Sequence, residues 1–473
     1  MKKFLATIGL AAATIAGAQA QLYWNTNGAN ATLTAANWGI SASGPFTTAW
    51  ANNSTISFTA NSTITNVSTT PIGDFTVSGN STVNWSAAGT LSTGGKVRTI
   101  DIGAGSILDL GSQAVSTTSG TGFIKNGPGI FYTVGGAYTG GFTLNEGTII
   151  LGGVNSMGAG PLTINGGTIA AKSGLNPITA RYSSVSIGGN FTLGGVTTGV
   201  ASGNGSATTN IFFADNMSLG AATRAITIGA NGTYTLNGTI SGGVGAGLTV
   251  NAASGATGAL ALGGANTYSG TTTVNSGTLL LSGGGTIGTG NLVLGGGKFS
   301  IASLTGNYTL SASQSLTGTG TIVGAAGKSL TIAGALAPGS SAGTITLDTV
   351  AVTLSGTSTF EFTAPGFASG TYDLVQGTAG GGAESVAFGG MLILNFSGGS
   401  YSNNSTVTIF NAVSYSGNFS AVNFSGLGTG QSATFNPTDG TITVVPEPRA
   451  WVMIGIGVWF MLWNVRRKRR PQV

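Results

Sequence analysis

Apolar residues in this chain fall in short alternating runs, not in helical stripes. Ile130/Tyr132 and Leu260/Leu262 are typical pairs. Alternation at a period of two places one face of a strand inside and the other outside. Glycine, asparagine and Ser-Gly steps separate the runs, and these are turn signals that permit positive φ. The pattern predicts many short strands, and helix formers such as Glu, Lys and Gln are scarce.

The pattern also repeats. Tyr138-Thr139-Gly140 through Asn145-Glu146-Gly147-Thr148-Ile149-Ile150-Leu151 recurs 130 residues on. The second copy is Tyr268-Ser269-Gly270 through Asn275-Ser276-Gly277-Thr278-Leu279-Leu280-Leu281. The register continues through Met157/Ile287, Gly158/Gly288, Gly160/Gly290, Leu162/Leu292, Ile164/Leu294 and Gly166-Gly167/Gly296-Gly297. Short strands without helices leave a sandwich, a barrel or a solenoid. A fixed-offset repeat favours the solenoid. The fold expected is therefore all-β, a parallel β-helix whose stacked coils bury Val, Ile, Leu and Ala and align Thr, Ser and Asn in mutually satisfied ladders. Phenylalanine-rich strands after about Leu347 are expected to form terminal coils or a small β-sandwich that closes the stack.

Composition fits such ladders. Glycine is 84 of 473 residues, hydrophobic residues are 41%, and charged residues are only 6%, against about a quarter in ordinary domains. The net charge of +5 is misleading. Between Gln21 and Val445 there are 8 basic residues and 10 acids, a net of −2. A nucleic-acid partner needs a basic patch, so none is expected. Cysteine and histidine are absent, which excludes disulfides, thiol chemistry and the commonest general base and metal ligand.

The excess positive charge sits at the two ends. Met1-Lys2-Lys3, the apolar run Phe4–Ala18 and the small-x-small Ala18-Gln19-Ala20 have the order of a secretory signal peptide. Cleavage by signal peptidase is expected between Ala20 and Gln21. At the other end stand Pro446, Glu447 and Pro448, then the uncharged stretch Ala450–Val465, then Arg466, Arg467, Lys468, Arg469 and Arg470. The uncharged stretch holds 16 residues, slightly under the roughly 17–25 of a spanning helix. Snorkelling by Arg449 and Arg466 and interfacial Trp451 and Trp463 make up the difference. The basic cluster is a membrane stop and places the C-terminus in the cytoplasm.

This tail resembles the PEP-CTERM sorting signal of Gram-negative bacteria, with Arg449 standing where that family carries a small hydroxyl residue. The resemblance implies processing near Pro446–Pro448 by an exosortase and release to the envelope or outside. The segment Leu262-Gly263-Gly264-Ala265-Asn266-Thr267-Tyr268-Ser269-Gly270-Thr271-Thr272-Thr273-Val274-Asn275-Ser276-Gly277-Thr278-Leu279-Leu280-Leu281 resembles the autotransporter-associated β-strand repeat. A weaker copy covers about 123–169, and Leu336–Thr344 is similar to the Pro-Gly segment that follows such repeats. That resemblance implies a right-handed β-helix passenger. Tyr372–Val445 is short for the outer-membrane barrel of a true autotransporter, so self-transport is not expected.

Catalytic constellations are sparse. The densest charged group is Lys96, Arg98, Asp101 and Asp109, expected to lie solvated on an outer face. Glu146, Asp215, Asp348, Glu361, Asp373, Glu384 and Asp439 are scattered singly. No phosphate loop follows Gly283-Gly284-Gly285, because no Gly-Lys-Ser/Thr comes after it. Calcium repeats of the Gly-Gly-x-Gly-x-Asp type are missing. Trp24, Trp38, Trp50 and Trp85 are expected to fill a cap over the first coil, with sugar stacking as the alternative. No cofactor or metal is expected.

The expected organisation is a signal peptide (1–20), an N-terminal cap with the first coils (21–120), a β-helix with the repeats (121–346, copies 123–169 and 253–299), a C-terminal β region (347–445) and the sorting signal (446–473, span 450–465). The function expected is that of an exported, non-enzymatic cell-surface or extracellular-matrix protein. Its role would be structural or adhesive, toward extracellular polysaccharide or other copies of itself. The alternative is a polysaccharide lyase or hydrolase on the same scaffold, which requires several acids and bases to converge in one groove.

Overall fold

The computed structural model describes residues 21–24, 30–32, 38–39, 55–66, 71–85, 90–111, 114–115, 118–136, 138–175, 178–195, 200–206, 208–378, 384–397 and 399–447, with 459, 461 and 463 of the tail. The chain is all-β and most strands pair in parallel. It divides into two compact units, 1–163 with 197–204, and 164–196 with 205–473.

In the first unit one parallel ladder runs Gln21–Trp24, Thr55–Phe58, Phe75–Val77, Val97–Ile102, Gly122–Asn126 and Gly141–Leu144. A second runs Asn30–Thr32, Ser62–Asn66, Thr82–Trp85, Ile107–Asp109, Ile130–Gly135 and Thr148–Asn155. Successive strands alternate between the ladders, so that each coil adds one strand to both, which is the stacked arrangement of a β-helix-like solenoid. Trp38–Gly39 pairs antiparallel with the first strand and covers its outer edge, a common way to blunt an exposed edge.

The second unit repeats the plan. Arg224–Ile228, Leu248–Ala252, Thr272–Val274 and Leu292–Leu304 stack in one ladder. Thr233–Leu236, Ala259–Leu262 and Thr278–Gly283 stack in another and also reach Leu292–Leu304. That strand of 13 residues bends across two faces without a break. The ladders continue beyond Leu347 through Thr357–Phe362, Met391–Phe396 and Ala421–Ser425. Of the two arrangements expected there, the parallel coils continue, and then Thr406–Thr408, Thr441–Pro446 and Gln431–Asn436 form an antiparallel closing sheet. The phenylalanines fill these last coils. Phe362 pairs with Phe396 in register and their rings stack at 4.4 Å, while Phe388, Phe410, Phe419 and Phe435 form one edge-to-face and tilted cluster.

The repeat has a physical basis. Tyr138 and Tyr268 are both fully buried. A Cβ on Gly158 would lie 2.4 Å from the Tyr138 ring, and one on Gly288 would lie 2.5 Å from the Tyr268 ring. The next residue in each copy donates its N–H to the tyrosine carbonyl, Ala159 to Tyr138 and Thr289 to Tyr268, both at 2.9 Å. Each tyrosine plugs a corner that only glycine can pass.

Strict alternation fails in several strands, among them Ile107–Asp109, Ile130–Gly135 and Thr148–Asn155. Phe131, Tyr132 and Thr133 are all buried, while Ile130 is half-buried, so the inward residue is Phe131 and not Ile130. Tyr132 pairs with Asp109 and with Ile150 in the outward row, and Ser202 N–H donates to Asp109 Oδ2 at 2.8 Å. Ser202 therefore lies against the Asp109 end of this row.

Candidate functional site

Three kinds of position bear on function: the processing points, the buried charges and the asparagine rows. Gln21 is the first of the described residues and lies in the strand Gln21–Trp24. Ala20 lies outside the described residues, as do Pro448, Arg466, Arg467, Lys468, Arg469 and Arg470. Pro446 ends the middle strand of the closing sheet opposite Gln431, and Glu447 N–H donates to Gly430 O at 2.8 Å. Both Pro446 and Glu447 are exposed. Most of the expected span also lies outside the described residues. Trp459, Met461 and Trp463 are helical and exposed, and the two tryptophan rings stack at 6.3 Å. Among the described residues no helix is long and apolar enough to cross a membrane.

The charged group Lys96, Arg98, Asp101 and Asp109 does not form one solvated face. Lys96 and Asp101 are exposed, whereas Arg98 and Asp109 are buried. Arg98 belongs to the inward row of Ile100 and Ile102, and its Nη2 donates to Thr93 O at 3.2 Å. Burial lowers its pKa, and Asp74 acts in the opposite sense. Asp109 accepts N–H bonds from Gly111 and Ser202, both at 2.8 Å.

Lys125 is the charge that sequence reading missed. It shares the inward face with Phe123 and stacks between Ile100 and Leu144. Its ammonium donates to the carbonyls of Asn126, Gly127 and Glu146 at 2.8, 2.6 and 3.3 Å. Burial pushes its pKa down to about 8, opposed by Glu146 and then Asp101. An ammonium has three donors, and these three carbonyls match them. The alternation Phe123-Ile124-Lys125 was the available signal.

The acids are used the same way. Asp373 is buried and accepts from Gly343 N–H and Glu361 N–H, both at 2.8 Å. Burial raises its pKa to about 7, and those two bonds pull against it. The carboxylate ties the Pro338–Gly343 turn to the strand Thr357–Phe362. Glu384 Oε1 accepts from Thr349 N–H and Thr378 Oγ1. It lies at an open depression of about 240 Å³ whose other lining residues are Gln376, Gly377, Thr378, Asn411, Ala412 and Val413. Glu384 is the only ionisable residue among them. Among the described residues no group of three or more Asp or Glu side chains is placed to hold a metal ion.

The asparagines mostly address the backbone instead of one another. Asn61, Asn210, Asn216, Asn291 and Asn307 each stand just before a strand. Their Oδ1 atoms accept the N–H of Thr82, Thr233, Thr239, Ser315 and Ser329, which lie 21–24 residues on. That separation is one coil, so each asparagine fastens the strand stacked on it. Side-chain ladders of the expected kind do occur, as in Asn145 to Asn126 and Asn275 to Asn251. Trp85 is buried against Phe75 with ring centroids 6.0 Å apart. The side chains of Trp24, Trp38 and Trp50 lie outside the described residues. Comparison of this chain with family models, curated proteins and solved structures finds no match.

Proposed function

We propose that this chain is the precursor of an exported, non-enzymatic β-helix protein of the cell surface or extracellular matrix, with a structural or adhesive role. In this reading the coils are right-handed, the first 20 residues are a signal peptide, and the tail is a PEP-CTERM sorting signal removed by an exosortase. The observation that carries the reading is where the charges go. Arg98, Lys125, Asp109, Asp373 and Glu384 are buried, and each is bonded to main-chain groups of its own chain. Side chains bonded in this way tie turns and strands of the scaffold together. The exposed Pro446–Glu447 step agrees with processing at the tail. The outward rows of Thr and Asn offer neutral hydroxyl and amide groups suited to polysaccharide or to another copy.

Intact-mass measurement on the protein from envelope and culture medium tests this. The expected chain begins at Gln21 and lacks Arg466–Arg470. Exported protein that keeps both ends would refute the export and sorting reading.

A further inference from the structure

We propose that a neutral polysaccharide docks on the outer face of the first coils, at the depression formed by Asn61, Thr63, Thr82 and Asn84. The proposal rests on the adhesive reading above and gives its polysaccharide arm a place. The strands Ser62–Asn66 and Thr82–Trp85 stack in parallel, with Thr63 opposite Asn84. An open depression of about 170 Å³ is lined here by Asn61, Ser62, Thr63, Thr82 and Asn84. At about 30 Å³ per water, that is room for about six waters, roughly the bulk of one sugar ring.

One acceptor in it is unused. Asn84 Oδ1 is buried and takes no hydrogen bond from any described residue. A buried acceptor left this way is costly, and a hydroxyl donor relieves the cost. The next rung of the row does not supply one. Asp109 stands beside Asn84 in register, a carboxylate only accepts, and its oxygens already take Gly111 and Ser202 N–H. The other lining groups are neutral as well. Ser62 Oγ donates to Ala60 O at 3.1 Å, and Asn61 Oδ1 accepts Thr82 N–H at 2.8 Å. That bond uses the oxygen of the Asn61 amide, so its nitrogen remains a donor beside the hydroxyls of Thr63 and Thr82.

The sequence marks the place. In the other strands held by an asparagine one coil back, the position two residues past the held N–H is Thr235, Ser241, Thr317 or Thr331. Here it is Asn84, which has a longer reach and a carbonyl acceptor. The ligand class follows from the lining. No charged side chain contributes to it, so neither an anion nor a cation gains an ion pair. A neutral polyhydroxylated chain supplies a hydroxyl donor for Asn84 and acceptors for the Asn61 amide and the threonine hydroxyls. The depression is open, so a ring within a longer chain enters it as readily as a free sugar.

The test is a titration of the purified exported protein with laminarihexaose, maltohexaose, chitohexaose and, as acidic comparator, hexagalacturonate, followed by amide chemical shifts. At least one neutral probe should bind and shift the amides of residues 61–63 and 82–84. Asn84→Thr, the residue type carried at the matching positions, should weaken that binding about threefold to tenfold. Its urea midpoint should be unchanged or higher, since a buried unpaired acceptor is removed. The wild-type shifts locate the site even where the variant fails to fold. Shifts confined to other residues, or binding undiminished in Asn84→Thr, overturn the site and leave an adhesive role standing. Tighter binding of hexagalacturonate than of every neutral probe overturns the ligand class and the proposal with it. No binding of any probe overturns the site together with the polysaccharide arm of the adhesive reading.

Discussion

Replacing Gly288 by alanine tests whether the repeat is a packing device. The added Cβ would stand 2.1 Å from the carbonyl oxygen of Tyr268 and 2.5 and 2.7 Å from two of its ring carbons. The oxygen belongs to the backbone, so no rotamer change relieves the overlap. The backbone at Gly288 is not left-handed, so the effect is steric and not conformational. Overpacking a closed site costs about 1–3 kcal/mol, and the rigid neighbour places this change near the upper end. Gly284→Ala is the control, since nothing lies within 4 Å of the Cβ it would carry. That change costs nothing sterically and gains about 0.4–1 kcal/mol through the unfolded chain. The assay is amide hydrogen exchange at Thr289, whose N–H is bonded to Tyr268 O, and at Gly270, bonded to Ala246 O. Local opening free energy sets protection there. A loss of about 3 kcal/mol speeds exchange about a hundredfold. Gly284→Ala should leave both amides unchanged or slightly slower. Equal behaviour of the two variants would refute the claim that Tyr268 and Gly288 lock the corner.

Three further outcomes are expected. Lys125 gives up its proton near pH 8 when folded and near 10.5 when unfolded. The unfolded chain holds more protons between those values, so stability rises with pH there by on the order of 1.4 kcal/mol per pH unit. Urea midpoints from pH 7 to 10 should show that rise in the wild type and not in Lys125→Met. Asp373 behaves oppositely. Its folded pKa of about 7 exceeds the ordinary 3.8, the folded state holds the extra proton, and stability falls as pH rises from about 4 to 7. Asp373→Asn should flatten that fall in thermal melts across the same range. Asn291→Ala removes the acceptor of Ser315 N–H. It should cost about 0.5–1.5 kcal/mol, with faster amide exchange at Ser315 and none at Thr233, whose own asparagine is intact.

Much of the architecture was legible because glycine and tyrosine positions in the repeat are set by packing. Tyr138 and Tyr268, with Gly158 and Gly288, could be paired from sequence because the same corner is built twice. What stayed hidden depended on contacts between distant residues. Asp109 reads as a surface acid until Ser202 is placed against it, 93 positions away. Lys125 reads as exposed because lysine is seldom inward, and only the carbonyls of a neighbouring corner explain it. The asparagines were read as a ladder among themselves, since sequence shows equal residues recurring but not whether Oδ1 meets an amide side chain or a backbone N–H one coil on. The processing motif could be read as a string. Its tie to Gly430 could not.

Activity on polysaccharide is the most direct test of the central claim that this is a scaffold and not an enzyme. The purified exported protein would be incubated with acidic and neutral polysaccharides, and polymer length followed by size-exclusion chromatography with absorbance detection of unsaturated ends. Unchanged polymer length, with or without retention of the polymer on the protein, is the predicted result. Progressive shortening, or the growth of unsaturated ends, that is lost on Glu384→Gln or Asp373→Asn would contradict the account.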